Sequence, residues 1–106
     1  MTRFCAVIVL CSHAEGKDPL YQENIVLLEA DSLESARARA QRHGRDGETE
    51  YRNGEGELVR WRLAQVVDVA EVPDQALGDG AEVYTRHFRD YAAYRRFEPL
   101  LDGEPL

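Results

Sequence analysis

Arg60-Trp61-Arg62, which holds the chain's only tryptophan, is the stretch best suited to grip a ligand, with Tyr84 and Arg86 as further candidates. Guanidinium groups beside aromatic rings can hold a carboxylate or phosphate through a fork of N–H donors, or stack on a base. The plainer reading makes Trp61 a core residue and pairs Arg60 and Arg62 with Glu48, Glu50 or Glu82 across a sheet, as opposite charges on adjacent strands commonly do. Two nearby groups could carry a proton for such a site, His87 and Asp68. Asp68 stands between Val67 and Val69, so it must find a partner or hold its proton more tightly. An arginine on a neighbouring strand, such as Arg86, would serve as that partner.

Cys11-Ser12-His13 is the second place where residue types suggest chemistry. A thiol becomes a nucleophile when a base stands beside it. Two residues apart on a strand, Cys11 and His13 share a face, with α-carbons about 6–7 Å apart. No oxyanion device is visible, and a small buried residue followed by a loop histidine fits the same letters. Metal chemistry has less support. Three histidines and two cysteines occur with no CxxC, HxxxH or HxH spacing, although Cys11, His13 and His87 could supply three ligands. The sequence therefore predicts no metal and no cofactor. Asn53-Gly54-Glu55-Gly56 lacks the following Lys-Ser/Thr of a phosphate loop and reads as a hairpin turn.

Positioning these residues requires strands. Leu58 to Val72 is the longest β-like run, rich in valine and free of Gly and Pro. At a period of two, Val59, Trp61, Leu63, Val67 and Val69 share one face, interrupted by Gln65. A straight strand of that length would span roughly 50 Å, well beyond the usual strand. A bend or bulge is therefore expected near Ala64-Gln65. Arg3 to Ser12 is apolar on both faces and belongs inside a sheet or an interface. It is too short to cross a bilayer and lacks a clear cleavage site, which favours a strand over a signal peptide. Tyr21 to Ala30 forms a hairpin with it. Asp31, with Glu34 three residues on, predicts a capped helix, with Ser32 as the alternative cap. That helix runs to about His43, with Gly44 ending it and Leu33, Ala36 and Ala40 as its apolar stripe. A short strand around Thr49 and Tyr51 follows. Beyond the long strand, Asp74 to Leu77 reads as a helical turn, Ala81 to Phe88 as a fifth strand, and Tyr91 to Glu98 as a last helix capped by Asp90.

The totals bound the function. The 106 residues give a hydrophobic fraction of 43% and a net charge of −7, which fits one globular domain, taken as residues 1–98 with a tail over 99–106. The acidic balance argues against nucleic acid and anionic membranes, and suits a basic protein partner. Cys5 and Cys11 stand about 20 Å apart on an extended strand and cannot pair. A reducing compartment, the cytoplasm, follows.

The order of an apolar first strand, NIVLLEADSLESARARA, YRNGEGELVRWRLAQVVDV, a Gly-Asp-Gly turn and EVYTR resembles the family of small bacterial domains called domain of unknown function 4288. The likeness rests on Glu29, Ala36 and Ala40, Trp61-Arg62, and Glu82-Val83-Tyr84 with Arg86. It covers roughly Phe4 to Phe88 and implies a small soluble bacterial α+β domain without implying an activity.

The expected architecture is α+β: a mainly antiparallel sheet of about five strands, one helix on a face and a short C-terminal helix. One alanine-rich helix cannot cover both faces, so a homodimer through the sheet or the hairpin arm is expected. The leading functional expectation is a non-enzymatic protein-binding or regulatory module. The alternative is a small-anion or nucleotide-binding protein or enzyme using Arg60, Trp61, Arg62, Tyr84 and Arg86.

Overall fold

The computed structural model describes residues 1–98 and 100–101. Four strands and two helices follow one another: β1 (Thr2–Ala14), β2 (Leu20–Ala30), α1 (Leu33–Asp46), β3 (Thr49–Arg52), β4 (Leu58–Glu71) and α2 (Tyr91–Phe97). The strands make one antiparallel sheet in the order β2-β1-β4-β3. The doubly apolar β1 is central, as a strand without a polar face must be. The fold is α+β, with four strands where five were expected.

Ala81 to Phe88 is the missing fifth strand. It pairs with no strand among the described residues. Both sides of β4 are already occupied, by β1 and β3, and the segment runs instead across a face of the sheet. Asp74 to Leu77 closes as a turn, Leu77 N–H donating to the Asp74 carbonyl at 3.1 Å, and not as a helix.

The core lies between α1 and one face of the sheet. Phe4, Ala6 and Ile8 of β1, Leu28 and Ala30 of β2, and Val69 of β4 pack against Ala36 and Ala40 of α1, with Leu10, Val26, Leu63 and Val66 at the margin. The pattern of β4 departs from strict alternation at two bulges. Ile8 pairs with Val66 directly after Val7 pairs with Asp68, and Leu10 pairs with Leu63 directly after Val9 pairs with Gln65. Ala64 and Val67 are therefore extra residues. The first bulge is where the pattern falters; the second turns Val67 out to solvent and brings Val66 to the core in its place.

Helix α1 begins one residue later than the Asp31 cap predicts. Ser32 is the N-cap, its Oγ accepting from Ser35 N–H at 3.1 Å. The helix also runs past Gly44 to Asp46, with Gly47 as its C-cap. Gly44 is buried and faces the sheet: a β-carbon there would lie 2.7 Å from Leu63 Cδ1. The buried stripe is thus Ala36, Ala40 and Gly44, while Leu33 is 39% exposed. A helix lined by such small residues sits close to the sheet and buries little area.

The other face carries Cys5, Val7, Val9 and Cys11 of β1. Val72 N–H extends the β4 edge by donating to the Arg3 carbonyl at 3.0 Å. Gln75 then fastens the chain, its side chain accepting from Arg3 N–H and donating to the Arg3 and Val72 carbonyls. From there the segment returns over Cys5 and Val7, both buried, and reaches Asp68 through Tyr84. Asp90 caps α2 by accepting from Ala93 N–H, and Tyr94 stacks on Phe88 and Tyr91. Apart from Leu100 and Leu101, which are exposed, the expected tail lies outside the described residues.

Candidate functional site

The five residues of the arginine–aromatic group occupy three separate places. Arg60 and Arg62 lie on the face away from α1, opposite His13 and Cys11 of β1. Both are satisfied by one carboxylate: Glu50 Oε2 is 3.1 Å from Arg60 Nε and 3.4 Å from Arg62 Nη2. Arg62 also donates to the Thr49 and Trp61 carbonyls. Trp61, between them in sequence, projects to the opposite face, as the pleat requires. There its Nε1 is 3.4 Å from Tyr51 Oη. These exposed ion pairs contribute little to stability.

Tyr84 is elsewhere. Asp68 stands opposite Val7 and Arg62 opposite Cys11, four β1 residues or about 13 Å apart. The Tyr84 hydroxyl donates to Asp68 Oδ2 at 2.6 Å, so the buried-side carboxylate finds a phenol where Arg86 was the expected partner. This hydrogen bond, followed by burial and the Asp68 charge, holds the Tyr84 phenol above its ordinary value, with Arg86 opposing. Burial, and after it the Asp68 charge, pushes the Cys5 thiol up as well. Arg86 and His87 are exposed. Asp68 and Tyr84 thus form one polar contact beneath the crossing segment, and His87 is not part of it.

Cys11 and His13 do meet. Cys11 Sγ lies 3.4 Å from His13 Nε2. The β1–β2 register adds Tyr21, directly opposite Cys11. Hydrogen bonding with Cys11, ahead of the Cys11 charge and burial, holds the Tyr21 phenol above its usual value. The last β1–β2 pair is Ser12 with Leu20, so residues 13–19 close the hairpin, and His13 and Ala14 pair with β4 alone. Strand ends alone do not reveal Tyr21, because β1 runs two residues past its last pair with β2. No group of three or more His, Cys, Asp or Glu side chains among the described residues could hold a metal ion.

One further surface stands out. β2 is an edge strand, and Tyr21, Ile25 and Leu27 on the face away from α1 are 63%, 58% and 51% exposed. Among the described residues, no helix is long and apolar enough to cross a membrane.

No curated protein and no solved structure matches the chain. One family model does, over residues 4–85, which run from β1 into the crossing segment and take in Cys11, His13, Tyr21, Asp68 and Tyr84. The match covers most of the sequence, and the chain belongs to the family described as domain of unknown function (DUF4288).

Proposed function

We propose that this domain is a non-enzymatic protein-binding or regulatory module that works as a homodimer, joined along the outer edge of β2. The observation that carries this reading is the character of that edge. Eleven residues, Leu20–Ala30, offer about 36 Å of backbone. The stretch contains neither lysine nor proline, the residues that usually blunt exposed edges. Tyr21, Ile25 and Leu27 would extend an apolar row across the junction, with Glu23 inside the row and Glu29 at its end. An antiparallel pairing centred on Ile25 sets that residue against its symmetry mate and Glu23 against Leu27. Such an isologous contact satisfies both edges at once. The net charge of −7 favours a basic protein as the further partner. Two free thiols fit a reducing compartment such as the bacterial cytoplasm.

The small-anion alternative gains no support from a shared site, because Glu50 engages Arg60 and Arg62 while Asp68 engages Tyr84. Native mass spectrometry on the full chain tests the dimer. Dimer is the expected species, and Ile25→Lys with Leu27→Lys should convert it to a folded monomer by circular dichroism. A monomeric wild type, or a double variant that stays dimeric, would sink the proposal.

A further inference from the structure

We propose that Cys11 is a thiol-modification site: with His13 as its base, it forms mixed disulfides with low-molecular-weight disulfides. Strand geometry sets up the pair. Cys11 and His13 are two residues apart on β1, on the same face, with Sγ 3.4 Å from Nε2. That is hydrogen-bond reach for a sulfur donor, and a nucleophile beside a base is the arrangement that activates a thiol. Sγ–H donates to Nε2 when the imidazole proton sits on Nδ1.

The surroundings favour exchange over permanent burial. Tyr21 on β2 faces Cys11 from one side, and Arg62 on β4 from the other. Arg60 faces His13, Glu23 of β2 stands opposite Val9, and Glu50 of β3 bridges the two arginines. Cys11 itself is 7% exposed. The side chains over it, Tyr21 and His13, are exposed, and exposed side chains change rotamer in picoseconds to nanoseconds. The thiol is therefore reached by moving surface groups, without opening the core. Cys5 is the internal contrast. It lies deeper, under the crossing segment, and burial raises its thiol, which keeps it an unreactive thiol.

The step balances with one named co-reactant, a small disulfide. His13 Nε2 takes the proton from Cys11 as Sγ attacks one sulfur of the disulfide. The new S–S bond forms as the old one breaks, and the departing thiolate takes up the proton from the imidazolium. Cys11 sulfur is oxidised and the leaving sulfur reduced. Cys5 is six residues along the same strand, about 20 Å away, too far to resolve the adduct. The modification therefore lasts until an external thiol removes it, which suits a reversible mark. The proposal does not require the dimer: His13 lies outside the β2 junction and remains the group that moves where Tyr21 is packed against a second copy.

The test uses oxidised glutathione on the full chain carrying Cys5→Ala, with intact mass read over time, natively and in denaturant. Native Cys11 should react at least about tenfold faster than the unfolded chain, a modest share of what a positioned base supplies. His13→Gln should abolish that advantage while circular dichroism shows the fold retained. In the wild type, peptide mapping should find the adduct on Cys11 and not on Cys5. A native rate no faster than the unfolded one overturns the proposal. So does an adduct mainly on Cys5, or an advantage that survives His13→Gln.

Discussion

Tyr84→Phe removes one oxygen and thereby tests what holds the segment after β4 to the sheet. The phenol donates to Asp68 at 2.6 Å, the short range of a hydrogen bond to an ionised acceptor. Such bonds contribute about 1.5–3 kcal/mol net, and a half-buried carboxylate stripped of its donor loses that much or more. Phenylalanine keeps the ring, so packing over Cys5 and Val7 is retained. The remaining ties of the segment are local: Asp74 and Glu82 close it on themselves, and Gln75 anchors only its start. We expect Tyr84→Phe to lower unfolding free energy by about 2 kcal/mol in urea titration, with the slope unchanged. Asp68→Asn should show a coupling of about 1 kcal/mol or more with it in a double-mutant cycle. The phenol's raised pKa adds a pH signature. A folded value above the unfolded one means that this stability is fully present below the unfolded tyrosine pKa of about 10. It is lost as pH rises through the folded value, where tyrosinate would face the Asp68 carboxylate. The wild type should therefore lose stability more steeply in alkali than Tyr84→Phe does. A cost below about 0.5 kcal/mol, the level of an ordinary surface substitution, or identical alkaline profiles would refute this account.

Gly44→Ala should destabilise although alanine is the better helix former. It gains about 1 kcal/mol of propensity but puts a methyl 2.7 Å and 3.1 Å from the two Leu63 methyls, an overpacking that costs about 1–3 kcal/mol; Leu63→Val in the same chain should recover part of the loss in thermal melts. Ser32→Ala removes the α1 cap and should cost about 1 kcal/mol, measured the same way. Leu33→Gln should stay within about 0.5 kcal/mol of wild type, because the side chain is outside the core.

The elements that depend on local rules were legible in the letters. Alternation and an all-apolar run announce β1, β2 and β4, and the Asn53 turn announces the β3–β4 hairpin. Its geometry agrees: Asn53 Oδ1 accepts from the N–H groups of Glu55 and Glu57, and Gly56 takes the positive φ. Where two structures share one local signal, the letters mislead. A glycine after a run of arginines reads as a helix stop, yet Gly44 is there because Leu63 of β4 needs the space, and nothing near Gly44 in sequence says so. Asp31 and Ser32 are both good caps, and only the path out of β2 chooses between them. Ala81 to Phe88 reads as a strand in the letters, yet only Ala81 and Tyr84 of it are half-buried, three residues apart; the place beside β4 that it would need is taken by β3.

The same division separates the candidate sites. The period of two already sets Trp61 against Arg60 and Arg62, so no pocket could gather all three, and their adjacency in sequence was a false clue. Cys11 and His13 meet because that same period brings residues two apart to one face. Tyr21 joins them through the β1–β2 register, which sets it directly opposite Cys11. Tyr84 and Asp68 meet only because a segment without regular structure crosses the sheet, a contact that no periodicity encodes. A functional reading of such a domain is therefore firmest where strand register builds the site. By that criterion Cys11 with His13 and Tyr21 outranks the arginine–aromatic group that the composition brings forward first.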